Sequence, residues 1–182
     1  DDDLTISDDV TAAGGNGAID LNAGTDLFID NDATVSTTGT GAITGDAERA
    51  IIVQSDLATV RSADGDITFN ANQGVTPVTG DFYGINLDGS LVETTNGAIS
   101  LTGQGGDNSG GSPSDDNDGI FVEGATIRST GTGTITLVGT STAGSESDGI
   151  DMDNDTGGTA ATVTSVVGAI SITGNSTGTE TG

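Results

Sequence analysis

The stretch DGIFVEGATIRSTGTGTITLVGT (residues 118–140) holds three short runs in which apolar and polar residues alternate. They are Ile120 to Val122, Ile127 to Ser129 and Ile135 to Leu137. An alternation of period two is the signature of a strand with one buried face. Gly, Ala and Thr separate the runs, so each strand ends in a turn before it can lengthen.

The last of these runs recurs along the chain. It reads GAIDLNAG at 17, GAITGDAE at 41, GDITFNAN at 65, GAISLTGQ at 97, GTITLVGT at 133 and GAISITGN at 168. The intervals are 24, 24, 32, 36 and 35 residues, and periods of this size denote a solenoid. A second strand recurs as DLFIDND, AIIVQSD, YGINLDG, DGIFVEG and DGIDMDND. A third recurs as ATVSTTG, ATVRSAD, LVETTNG, ATIRSTG and ATVTSVVG.

When the periods are stacked, the apolar residues form columns. The first strand points Ile19/Leu21, Ile43, Ile67/Phe69, Ile99/Leu101, Ile135/Leu137 and Ile170/Ile172 inward. The second offers Leu4/Ile6, Leu27/Ile29, Ile51/Val53, Ile85/Leu87, Ile120/Val122 and Ile150/Met152. The third offers Val10, Val35, Val60, Val92, Ile127 and Val163, each followed two residues later by a small one. These columns predict an all-β fold, a three-sided parallel β-helix of about six coils. The usual crossover hand makes it right-handed. Residues 1–182 form a single β-helix repeat segment with coils starting near 17, 41, 65, 97, 133 and 168. The narrow interior explains how a chain whose Leu, Ile, Val and Phe make up only about a fifth of its residues escapes disorder. Length variation collects at the corner between first and second strands, in QGVTPVTGDF (73–82) and QGGDNSGGSPSDDN (104–117).

Composition restricts the chemistry. Three basic against 28 acidic residues give a net charge of −25, which opposes binding to nucleic acid or anionic membranes and attracts cations. There is no His, Cys or Trp, so thiolate or imidazole zinc sites and His-dependent triads are excluded. No apolar run approaches the ~18 residues of a membrane helix.

The acids follow the columns. SDGIDMDNDTGG (147–158) has the acidic spacing that opens an EF-hand loop. It aligns with the second strand, however, with Ile150 and Met152 inward, and so reads as strand. Asp30, Asp88, Glu123 and Asp153 share one outward column, Asp32 and Asp155 another, and Asp151 precedes them on its strand. Stacked coils lie ~4.8 Å apart, so like charges in a column repel unless they splay or hold cations between them. Calcium, which accepts oxygen ligands in flexible geometry, is the expected cation, here or at Asp115, Asp116 and Asp118 of the 112–119 loop. Arg61, Glu93 and Arg128 occupy successive outward positions of the third strand and predict an ion-pair ladder. A flat threonine ladder of the ice-binding kind is incomplete, since T-x-T occurs on the first strand only at Thr134 and Thr136.

The succession GAISLTGQGG…DGIFVEGATIRSTGTGTITLVGT resembles the repeats of large bacterial surface and secreted proteins of the filamentous-haemagglutinin-like and autotransporter-passenger-like kind. The resemblance covers nearly the whole chain and rests on repeat style. It implies an extracellular or cell-surface location and a non-enzymatic structural or adhesive role in a surface protein, matrix or filament. It also implies contact with cell-surface glycans. The alternative is a carbohydrate-binding or carbohydrate-degrading β-helix, for which Phe28, Phe82, Tyr83 and Phe121 are the available sugar platform. The expected partners are further copies or neighbouring repeats end to end, with Thr5 to Ser7 laid over Ile150 to Met152. The segment is then part of a longer chain or filament.

Overall fold

The computed structural model describes residues 2–30, 32–107, 117–142 and 147–177. It contains three parallel sheets of six strands each, and none of the described residues is helical. The first sheet stacks β3 (Ile19–Ala23), β6 (Ile43–Ala47), β9 (Ile67–Ala71), β12 (Ile99–Gln104), β15 (Ile135–Ser141) and β18 (Ile170–Ser176). The second stacks β1 (Leu4–Ile6), β4 (Leu27–Ile29), β7 (Ile51–Gln54), β10 (Ile85–Asp88), β13 (Ile120–Glu123) and β16 (Ile150–Asp153). The third stacks β2 (Val10–Ala12), β5 (Thr34–Thr37), β8 (Thr59–Ser62), β11 (Leu91–Thr94), β14 (Thr126–Ser129) and β17 (Thr162–Ser165). Every strand therefore pairs with its counterpart one coil away, which is the architecture of a three-sided β-helix of about six coils.

The register matches the expected columns. Ile85 pairs with Ile51 and Ile120, and Leu87 with Val53 and Val122. All six of these side chains are fully buried. Such burial stabilises by about 1.5–3 kcal/mol per large side chain, and it accumulates coil by coil as nearest-neighbour terms.

The recurring Gly of the first-strand phrase has a steric cause. A Cβ at Gly41, Gly65, Gly97, Gly133 or Gly168 would overlap the carbonyl oxygen of the matching Gly one coil earlier. The coils touch backbone to backbone at this corner, and no side chain fits. Just before it, the small residues of the third strand tie the corner. Thr37 donates to the Gly41 carbonyl at 2.8 Å and Ser165 to the Gly133 carbonyl at 3.1 Å. One interior position is filled from a neighbour. Gly45 takes an inward place on β6, and the buried ring of Phe69, its register partner on β9, occupies the space.

The 72–84 insertion lies at the corner between the first and second sheets, as expected, and polar side chains pin it. Asn72 is fully buried with φ +56°. Its Oδ1 accepts the Val78 N–H at 2.6 Å, and its Nδ2 donates to the carbonyls of Val78 and Gln104, each at 3.2 Å. Asn117, equally buried, accepts the Phe82 N–H at 2.7 Å from the next coil's insertion.

Candidate functional site

The acidic residues singled out in the sequence separate into distinct environments. Asp88, Glu123 and Asp153 are register neighbours along the edge of the second sheet, with Gln54 preceding them. Asp30, Asp32 and Asp88 line one open cavity of about 460 Å³ together with Gln54 and Ser55. Asp32 has φ +64° and accepts a hydrogen bond from the Ser55 hydroxyl. Among the described residues no group of three or more acidic side chains is arranged to hold a metal ion by itself.

Asp155 is used within its own turn, accepting the Thr159 N–H at 2.7 Å. That hydrogen bond and those from Gly157 and Gly158 hold its carboxyl below the usual carboxylate range. Asp153 likewise accepts the Asn154 N–H at 2.6 Å. Asp118 is buried and accepts the Asp148 N–H at 2.6 Å, a corner contact between coils. Asp151 stands in the row of Phe121, its register partner. Asp115 and Asp116 lie outside the described residues.

The expected ladder of Arg61, Glu93 and Arg128 is in register. Glu93 pairs with Arg128 through both Nε and a terminal nitrogen. Arg61 makes no ion pair among the described residues. A pair not expected from the sequence joins Arg49 to Asp26, bidentate, with Asp26 buried. Asp26 also accepts the Ala50 N–H at 3.1 Å. The Arg49 guanidinium is held above its ordinary pKa first by its own hydrogen bond to Asp26 and also by the nearby charge of Asp26 and Asp3, against a desolvation penalty.

This pair is part of the lining of a larger cleft, about 570 Å³, on the outer face of the second sheet. Its lining includes Phe28, Ile52 and Asn86 from the sheet, and Asp81, Phe82 and Tyr83 from the pinned insertion. The guanidinium of Arg49 lies 5.9 Å from the Phe82 ring centroid, within cation–π range. Tyr83 stacks on Phe121 at 4.7 Å with an interplanar angle of 13°. Phe28, Phe82, Tyr83 and Phe121 are each half-buried. The four aromatics considered for sugar contact are thus gathered along one face, with Tyr83 bridging the cleft lining and Phe121. The signal available in the sequence was the apolar outward position of the second strand, at Phe28, Ile52 and Phe121, where a solvated face calls for polar residues.

No protein-family model matches the chain, and neither does any curated protein or any solved structure.

Proposed function

We propose that the chain is a non-catalytic structural segment of an extracellular or cell-surface β-solenoid, whose terminal coil is covered by a further coil of the same kind. One observation supports this reading above the others. The inward columns, fully buried in the middle coils, surface in the last described coil, where Ile170 is 43%, Ile172 48% and Met152 37% exposed. These side chains retain the spacing that the preceding coils bury, so a coil of the same register is the shape that covers them. Unpaired backbone groups on the same strands add a template for parallel pairing.

The register within the chain supports one seating of such a coil. Leu4 pairs with Leu27 and Ile6 with Ile29, and the same columns run through Ile51/Val53 to Ile150/Met152. A second copy therefore lays Leu4 to Ile6 over Ile150 to Met152. Laying Thr5 to Ser7 over these residues instead would turn Thr5 inward, because one step inverts the face of a strand. Head-to-tail stacking of this type does not close on itself and gives rods.

The acidic edge belongs to the same reading. These carboxylates form no ready-made ligand set among the described residues, so a divalent cation near Asp30, Asp32 and Asp88 would act by screening the repulsion between coils. A carbohydrate-degrading role is less favoured, because the larger cleft is lined by two carboxyl groups, Asp26 and Asp81, and Asp26 is committed to Arg49.

The test is association of the purified chain, followed by light scattering and electron microscopy. The expected result is rods one chain wide. They should lengthen with protein concentration and with salt, because salt screens the −25 charge of each copy. Ile172→Asp should abolish them. A chain that stays monomeric at millimolar concentration and high salt would overturn the proposal.

A further inference from the structure

We propose that the outer face of the second sheet, between the 72–84 insertion and the acidic edge, docks a cationic amphipathic helix of another protein. The inference does not depend on end-to-end stacking, because it uses the flank of the middle coils.

Two lines of side chains run next to each other along this face. The first is Phe28, Ile52, Asn86 and Phe121, register partners on four successive coils. In the first and third sheets the matching outward positions hold only Thr, Ser, Asp, Arg and Glu. Phe28, Ile52 and Phe121 add nothing to the coil interior, which they do not face. Phe82 shares a cleft with Phe28 and Ile52, and Tyr83 stacks on Phe121, so the insertion extends the apolar strip sideways. All five are half-buried. An apolar strip left at the surface of so polar a chain marks a place of contact.

The second line lies two residues further along the strands and is acidic. Phe121 and Glu123 share the outward face of β13, and Asn86 and Asp88 that of β10. Two strand residues span about 6.6 Å, so the acids flank the apolar strip at side-chain reach. Asp88 and Glu123 are register partners, both half-buried, one coil spacing of ~4.8 Å apart. Among the described residues neither side chain makes a hydrogen bond or an ion pair. Asp26 and Glu93, which are similarly enclosed, each hold an arginine. Two neighbouring carboxylates repel, and a cationic side chain brought by a partner relieves that repulsion.

The backbone selects the form of the partner. β4, β7, β10 and β13 each pair with a strand on both sides, so their backbone groups face neighbouring coils and the outer face presents side chains alone. An extended segment laid there would find no backbone partner. A helix satisfies its own backbone and meets the surface through side chains. The strip from Phe28 to Phe121 covers three coil spacings, about 14 Å, which roughly ten helical residues match. An apolar stripe at i, i+3, i+4 and i+7 then lies on the strip, and Lys or Arg beside the stripe reaches the acids. The wall is preorganised. The Phe82 N–H is fixed by Asn117, the Phe82 carbonyl accepts the Gly106 N–H at 2.9 Å, and the Gly80 N–H reaches Asp107 at 2.9 Å. Little ordering entropy is lost on binding.

Charge selects the sign of the partner. Arg49, the basic residue of the cleft lining, is neutralised by Asp26, and the whole chain carries −25. A cationic helix is drawn in at long range, and an acidic helix of the same shape is repelled.

Tyr83 is the sole tyrosine and the chain has no tryptophan, so tyrosine fluorescence reports on this face directly. The experiment titrates the full chain with a peptide of Leu and Lys in the helical pattern, about 14 residues long. The comparison peptides are the same residues in strict alternation, which favours a strand, and Leu with Glu in the helical pattern. The expected result is a saturable fluorescence change with the helical Leu/Lys peptide, at a Kd on the order of 10–100 μM in low salt. The alternating peptide should bind far more weakly and the Leu/Glu peptide not at all. Added salt should weaken binding, whereas it strengthens end-to-end association. Ile52→Thr with Phe121→Thr gives this row the character of the other two and should weaken binding at least about tenfold by calorimetry. Asp88→Asn with Glu123→Gln should weaken it at least about fivefold. Asp8→Asn with Asp20→Asn, exposed acids of the first coil, makes the same change in net charge and should leave binding within about twofold. Circular dichroism melts establish that each variant is folded. The proposal is overturned if the helical Leu/Lys peptide does not bind at about 1 mM, or if either comparison peptide binds as tightly. It is also overturned if the Ile52/Phe121 variant binds like the parent, or if the Asp88/Glu123 variant loses no more than the Asp8/Asp20 variant.

Discussion

The pairing of Gly45 with Phe69 allows a quantitative check on the interior. A Cβ built at Gly45 would lie 2.7 Å from Phe69 Cδ1, 2.9 Å from Cε1 and 3.0 Å from Leu27 Cδ2. Replacing Gly45 by Ala reduces the entropy of the unfolded chain, a gain of about 0.5–1 kcal/mol. It also forces a methyl group into a closed interior, which costs about 1–3 kcal/mol. The net expectation for Gly45→Ala is a loss of about 0–2.5 kcal/mol. Phe69→Val ends the side chain before the contested atoms. It leaves a void and should cost about 2–4 kcal/mol, somewhat below the ~3–5 of Phe→Ala. In the double variant the added methyl enters that void. Its loss should fall short of the sum by about 1 kcal/mol or more, a coupling typical of touching residues. Urea unfolding of the four proteins, followed by circular dichroism at unchanged m-value, measures this. Additivity within about 0.5 kcal/mol, or a Gly45→Ala variant more stable than the parent, would show that Phe69 does not fill the place of the missing side chain.

Two further outcomes are expected. At fixed ionic strength, millimolar calcium should raise the melting temperature and a chelator should lower it, because a ligand of the folded state alone stabilises by mass action. Asp30→Asn with Asp88→Asn should reduce this response more than Asp153→Asn with Asp155→Asn, and a melt indifferent to calcium would remove the cation from the account. The depressed carboxyl of Asp155 makes its 155–159 turn sensitive to pH. Its contribution is complete above the unfolded value of about 4 and is lost as pH falls through the lower folded value. The amide shift of Thr159 should follow that titration, and Asp155→Asn should leave it flat.

The architecture was legible because a solenoid writes each interior column many times. Ile51, Ile85 and Ile120 are weak signals singly, but a column of them admits one register. The same repetition located the insertions and placed Phe69 inside and Phe28 and Phe121 outside. What escaped lies off the repeat. Asn72 and Asn117 work inside loops, where no period marks a residue as buried. Asp26 and Arg49 meet because the coil between them has 24 residues, a fact useful only after the coils are aligned. The Arg61–Glu93–Arg128 column was visible in the sequence. Its outcome was not, because a single carboxylate between two guanidinium groups bonds to one of them, and side-chain geometry decides which.

This division between column and row bears on function. Inward columns answer to neighbouring coils and tolerate little change, as the backbone contacts at Gly41 and Gly65 show. Outward rows answer to solvent, and on a chain this acidic the simplest solution is the run of Thr, Ser, Asp and Asn found on the first sheet. The aromatic row with Asn86 departs from that solution where the chain also supplies a fixed insertion. Coil stacking explains neither feature. The exposed last coil, conversely, has no use for a cleft placed in the middle coils. The two features are therefore independent of each other, one at the last described coil and the other on the flank of the second sheet.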